Sequence, residues 1–171
     1  MNQIITNNLQ QIVGLGNPKS KICFHLPNAP IVGEMGYKID DLVAINGNHW
    51  RKIFVIIAKL CSDNISWQQY RSEDLINEVY INFENKLNEH AICQYICGKN
   101  HSESFELNND HQQWEIINHA YDVNYHKTTT GRHIILTPYL DYRQFPNLLI
   151  EEVRNYLLGD CSSDSSGTKV S

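Results

Sequence analysis

Apolar positions along this chain fall into short continuous runs that alternate with stretches of helical spacing. Lys21-Ile22-Cys23-Phe24-His25-Leu26 is such a run, stopped by Pro27 and Pro30, and it predicts a core strand followed by a loop. Residues 91–97, ended by Gly98, and Arg132-His133-Ile134-Ile135-Leu136-Thr137, halted at Pro138, predict two more strands. After a loop over residues 27–47, Asn48 caps a helix in which Trp50, Ile53, Phe54, Ile57 and Leu60 recur every three or four residues. Ser72 reads as the N-cap of a second helix with the stripe Leu75, Ile76, Val79, Tyr80, Phe83 and Leu87. A short helix is expected over 99–107, and Trp114, Ile117 and Tyr121 predict another within 110–121. Asn147 opens the last helix, with Leu149, Ile150, Val153, Tyr156 and Leu157 on one side and Gly159 at its C′ position. Continuous apolar strands alternating with helices predict an α/β fold, a three-layer α/β/α domain with a mostly parallel central sheet. Residues 1–158 form that single domain, ordered from about residue 10, and the small polar residues 159–171 read as a disordered tail.

Composition narrows the field of functions. The chain has 171 residues, enough for one core and too few for a second large domain. A formal charge of −5 argues against binding nucleic acid by overall charge, so any such contact would need a local basic groove. The longest apolar run, Ile53-Phe54-Val55-Ile56-Ile57-Ala58, ends at Lys59, far short of the roughly 20 residues of a membrane span. With no basic n-region or long apolar h-region at the N-terminus, the expected location is the cytoplasm, with no membrane partner. The five cysteines include no Cys-x-x-Cys pair, and Cys93 and Cys97 on one strand would share a face about 13 Å apart, too far to bridge. They read as small buried thiols. None of the eight histidines has a metal-binding spacing, so neither a metal site nor another cofactor is expected.

Ligands of open parallel sheets bind beyond the carboxyl ends of the strands, where loops converge. Three loops qualify. In the first, His25 and Asn28 suit the positioning of a water molecule or serve as satisfied polar groups at a strand end. In the second, Gly98-Lys99-Asn100-His101 offers a cation for an anionic ligand and an imidazole for proton transfer, or a plain solvated turn. The third, over residues 137–147, is the densest: Asp141, Arg143, Gln144 and Asn147 combine a carboxylate, a guanidinium and two amides between two stiffening prolines. That set suits a nucleobase edge or a phosphate. Alternatively, Asp141 pairs with Arg143 while Tyr139, Tyr142 and Phe145 pack beneath the last helix.

Val13-Gly14-Leu15-Gly16-Asn17-Pro18 resembles the opening motif of peptidyl-tRNA hydrolases, which implies an esterase with this motif at a strand end beside His25. Over residues 20–158 the order of elements is similar to the uracil-DNA glycosylase superfamily. A first strand enters a Pro-containing loop with Gly33 downstream, a later strand ends at Gly98-Lys99, and a last strand ends in a Pro-bearing loop before the final helix. That resemblance implies a domain acting on a flipped base in DNA, with Asn28 or Asp141 positioning water, Arg143 on a phosphate and Tyr139 or Tyr142 stacking the base. Thr137-Pro138-Tyr139 stands where that superfamily carries His-Pro-Ser. The chain also resembles a group of small uncharacterised bacterial proteins sharing Trp50-Arg51-Lys52, Tyr70-Arg71, Gly98-Lys99 and Pro138-Tyr139-x-Asp141-Tyr142-Arg143-Gln144. Two expectations therefore stand side by side: a glycosylase-like enzyme on DNA, or a catalytically inactive module that binds a nucleotide, another ligand or a protein through the same loops. The oligomeric state is left open.

Overall fold

The computed structural model describes residues 12–34, 37–63, 65–107 and 113–167, with side chains described as far as residue 159. Among them seven strands form one sheet: β1 (Gly14–Gly16), β2 (Ile22–His25), β3 (Val79–Asn82), β4 (Cys93–Cys97), β5 (Glu115–Asn118), β6 (Val123–Lys127) and β7 (His133–Thr137). Their spatial order is β1-β3-β2-β4-β7-β6-β5. The inner strands β3, β2, β4 and β7 are parallel, whereas β1 and the β5–β6 pair are antiparallel to their neighbours. The sheet of this α/β fold is therefore mixed, which corrects the expected mostly parallel one. An antiparallel edge needs only a tight turn, such as the one between β5 and β6, while every further parallel strand would need a long crossover.

The helical elements are α1 (Ile39–Asn46), α2 (Asn48–Cys61), α3 (Trp67–Gln69), a π-helical turn (Tyr70–Asp74), α4 (Leu75–Glu78), α5 (Lys99–Glu103) and α6 (Asn147–Gly167). Four expectations change. The helix expected from Ser72 through Leu87 starts instead at Ser66, whose hydroxyl accepts the Gln69 N–H, and it gives way to β3 at Val79. All four residues of β3 are buried, and a strand covered on both faces loses its alternation and mimics a helical stripe. The helix expected within 110–121 is strand β5, whose partner β6 alternates Val123 and Tyr125 inward; residues 110–112 lie outside the described set. Within the expected loop 27–47 lies α1, held by buried Ile39 and Leu42. Finally, α6 continues past Gly159 to Gly167: a glycine costs a helix only about 1 kcal/mol, and no proline follows to block the next turn. The outermost parts of the predicted tail and of the N-terminal segment, 168–171 and 1–11, lie outside the described residues.

One sheet face carries most of the apolar core. Phe24 of β2 and Tyr95 of β4 stack with ring centroids 4.4 Å apart, and Ile81, Ile135 and Tyr125 extend that layer across the sheet. Against it lies α2, in which Trp50 and every residue from Ile53 to Ala58 are buried, with Leu149, Ile150 and Val153 of α6 beside it. Cys93 and Cys97 point to this face, as their spacing predicts. The opposite face has two smaller apolar clusters, Cys23 with Tyr80 and Ala91, and Ile96 with Ile134 and Phe105. It is covered by α5 and by the loop 83–92. No helix among the described residues is long and apolar enough to cross a membrane.

The two glycines of β1 have a packing explanation. A Cβ at Gly14 would collide with the Tyr80 ring, and one at Gly16 would collide with the Val79 carbonyl, at a φ of +88° that L side chains rarely adopt. Gly131 has a similar φ of +82° but open space around it. Gly131→Ala should therefore lose only the conformational term, about 1–2 kcal/mol, while Gly16→Ala loses clearly more. Urea denaturation of the two variants checks this, and equal losses would refute the close-approach argument.

Candidate functional site

The inner strands share one direction, so their carboxyl ends, at Asn82, His25, Cys97 and Thr137, lie on one edge of the sheet. Just behind that edge, on the less apolar face, sits a buried polar network. His25 is fully buried; its Nε2 donates to Gln94 Oε1 at 2.9 Å and its Nδ1 accepts from Asn82 Nδ2 at 3.0 Å. This arrangement fixes the neutral tautomer. Burial pulls the imidazole down to about 4, opposed by the bond to Gln94 and assisted by nearby His101. Gln94 and Asn82 also bind the backbone of the covering loop, at Asn88, Glu84 and Lys86. Phe105 lies edge-on to both His25 and His101, with centroids 5.1 Å away in each case. His101 is only 8% exposed, and its Nε2 has no hydrogen-bond partner. Burial lowers its pKa as well.

In front of the strand ends is an open cleft of about 440 Å³. Lys99 and Ser102 of α5, Leu136 to Pro138 at the end of β7, Arg143 and Gln144 of the following loop, and Tyr121, Asp122 and Asn124 of the β5–β6 hairpin line it. Asp122 reaches it because the hairpin turn holds it at a φ of 54°, a conformation that a short polar side chain tolerates; Asn124 Nδ2 donates to its carbonyl and its carboxylate. Lys99 Nζ stands 4.0 Å from Asp122 Oδ2, a loose and exposed pair. The Arg143 guanidinium is exposed and makes no hydrogen bond or ion pair with the described residues.

The structure thus divides the residues that the sequence nominated. Lys99, Arg143 and Gln144 meet in the cleft, while His25 and His101 lie buried behind it. Tyr139, Asp141, Tyr142 and Asn147 turn the other way, toward α2. Tyr139 stacks on His49, its hydroxyl 2.8 Å from the imidazole Nε2, and burial pushes its phenol up to about 12. Asp141 Oδ1 accepts the Arg143 backbone N–H at 3.0 Å and its Oδ2 accepts from Lys52 Nζ at 3.2 Å; these two donors hold its carboxyl below the usual range. So the close ion pair of Asp141 is with Lys52, the Arg143 guanidinium adding a smaller charge attraction, and of the three aromatic residues only Phe145 is fully buried. Asn28 is exposed in the loop after β2 and is not part of the cleft wall. Sequence reasoning misses Tyr121 because it falls on the helix expected within 110–121, and Asp122 and Asn124 because the residues just after that helix carry no predicted element; the alternation of apolar Val123 and Tyr125 with Asn124 was the available signal. The Asn17-Pro18 turn follows β1 at the amino ends of the parallel strands, since Gly16 is level with Tyr80 while His25 is level with Asn82. It does not lie beside His25. No group of three or more His, Cys, Asp or Glu among the described residues is placed to hold a metal ion.

The unfolded chain takes up a proton on His25 near pH 6.5, the folded chain only near pH 4. Stability therefore falls as the pH drops through that window, by about 3 kcal/mol from this residue. Urea denaturation at pH 7.5, 5.5 and 4 should show the decline, and His25→Gln should remove the part that belongs to one proton. A slope unchanged in His25→Gln would assign the decline elsewhere.

Comparison with curated proteins gives no match, and comparison with solved structures gives none either. A family model described as a family of unknown function, DUF6942, matches residues 13–158. The matched region runs from the residue before β1 into α6, so it contains every strand, the buried His25 network and the whole cleft wall. On that match the chain belongs to the DUF6942 family, a family of unknown function.

Proposed function

We propose that the domain binds a nucleotide-type ligand, with an anionic phosphate and a hydrogen-bonding base, in the cleft at the carboxyl ends of β4 and β7. One observation carries this reading: the cleft gathers two cations, the side-chain amides of Asn124 and Gln144, and the Tyr121 ring, and its arginine is exposed to solvent. A guanidinium presents two parallel donors to phosphate oxygens, and an amide presents a donor and an acceptor to a base edge. The ring and the apolar Leu136 and Pro138 supply surface for a flat ligand. Lys99 trades a weak exposed pair with Asp122 for the phosphate.

Binding without base excision is the better-supported form of the reading. A general base works best with a pKa near the working pH. Asp141 is held below the usual carboxylate range and tied to Lys52, and His25 has both ring nitrogens engaged. The resemblance to uracil-DNA glycosylases supports the second form, in which Asn28 and Asp141, on loops that leave the same edge of the sheet, position a water against a flipped base.

Titration calorimetry with a panel of nucleoside mono-, di- and triphosphates is the direct test. At least one should bind saturably, and Arg143→Ala or Lys99→Ala should each weaken it about tenfold, the effect of losing one charge-assisted hydrogen bond. Absence of saturable binding across the panel would overturn the reading. Abasic-site formation on uracil-containing DNA, lost in Asp141→Asn, would replace binding alone with catalysis.

A further inference from the structure

The side of the loop 138–147 that turns away from the cleft builds a second surface. Along the exposed stripe of α2, cations and aromatic rings alternate. Lys52 Nζ lies 5.7 Å from the centre of the Tyr142 ring, Lys59 Nζ lies 6.0 Å from that ring on its other side along the helix, and Lys59 is also 5.1 Å from the Trp67 ring. The order along the surface is Lys52, Tyr142, Lys59, Trp67. Beyond it opens a groove of about 530 Å³, lined by Lys59, Trp67, Asn147 and Arg154 among others, where Arg154 donates to the Lys59 carbonyl. At the other end stands the His49–Tyr139 stack.

From His49 to Lys59 the helix advances about 15 Å, several times the roughly 3.4 Å spacing of stacked nucleotides in one strand. Tyr142 is 37% exposed and Trp67 is partly exposed, so both rings reach the surface beside the ammonium groups that lie over them. Aromatic faces that receive successive bases, beside cations that follow a phosphate backbone, are the parts of a single-strand nucleic-acid platform. A duplex would shield its base faces. A mononucleotide would use one ring and leave the rest of the row idle.

We infer that this row is a binding surface for single-stranded nucleic acid, which enters the cleft at Arg143, crosses Tyr142 and ends in the groove beside Trp67. The inference rests on the nucleotide reading of the cleft and extends its ligand from one nucleotide to a short strand. Asp141 and Glu151 lie along the same path, so few net positive charges face the backbone, and stacking supplies much of the affinity. With Arg143, Lys52, Lys59 and Arg154 as the cations, the slope of log K against log salt is about −3.

The test is fluorescence anisotropy with labelled oligo(dT) and oligo(U) of one, four and eight nucleotides on the full chain, from 50 to 300 mM NaCl. Tetranucleotides should bind at least tenfold more tightly than mononucleotides, with the shallow salt slope given above. Tyr142→Leu and Lys59→Gln, chosen because both keep apolar bulk, should each remove about fivefold to tenfold of the tetranucleotide affinity and leave mononucleotide affinity unchanged. Trp67→Ala, accompanied by circular dichroism to confirm folding, should do the same. If strands bind no tighter than mononucleotides, or if the three variants match the parent, the row is not a binding surface while the cleft stands. If strands bind through Trp67 and Lys59 but Arg143→Ala has no effect, the row stands and the cleft reading fails.

Discussion

The fold depends on the near-complete burial of α2. Its stretch from Ile53 to Ala58 has no exposed residue, so it must be walled by the sheet on one side and by other helices on the rest. Burying a single large apolar side chain stabilises by about 1.5–3 kcal/mol, and this helix buries eight residues. That demand explains the arrangement around it. The stacked rings of Phe24 and Tyr95 form its floor, and Leu149, Ile150 and Val153 of α6 form one wall. A narrow polar stripe, His49, Lys52 and Lys59, faces the loop 138–147.

The opposite face of the sheet solves a different problem. It has one very short helix, α5, and the loop 83–92 in place of long helices, and loops bring backbone polar groups that need partners. Asn82 and Gln94 supply those partners from the sheet itself, and both ring nitrogens of His25, both amide atoms of Asn82 and the Gln94 Oε1 are engaged. A half-satisfied network would be worse than an apolar face. The network therefore sets where the covering loop runs, and α5 follows from it: Phe105, wedged against His25 and His101, ties the α5 segment down while Lys99 at its start reaches the cleft.

What the sequence disclosed follows from how each element is buried. β2, β4 and β7 were legible because apolar runs end abruptly at Pro27, Gly98 and Pro138. β3 was not, because α4 runs straight into it at Val79 with no glycine or proline between them, and its neighbours Leu75 and Ile76 continue a helical stripe. The β5–β6 hairpin was obscured by half-exposed positions such as Ile116, 51% exposed, which break the alternation of an edge strand. Gly14 and Gly16 look like a motif in the sequence, yet their reason is spatial: a tyrosine ring and a carbonyl one strand away. In the candidate site, the chemistry of residues 137–147 was visible as a dense run of polar and aromatic types. Their division between two sides was not, because it is decided by Lys52 and Lys59, which lie nearly ninety residues away in the chain.

That division bears on how the loop is used. Asp141 accepts both the Arg143 N–H and the Lys52 ammonium, so one carboxylate fastens the loop to α2 and sets the backbone from which Arg143 projects into the cleft. A side chain on the far side of the loop from the cleft thereby determines where the guanidinium stands. Phe145, fully buried, and the Asp141 carbonyl, which accepts the Phe145 N–H, close the same turn from below. The loop is consequently rigid at its centre and polar on both sides. A ligand that engages Arg143 on one side and Tyr142 on the other meets two surfaces held in fixed relation by the bonds of Asp141 and the buried Phe145, so little ordering of the loop is left to oppose binding.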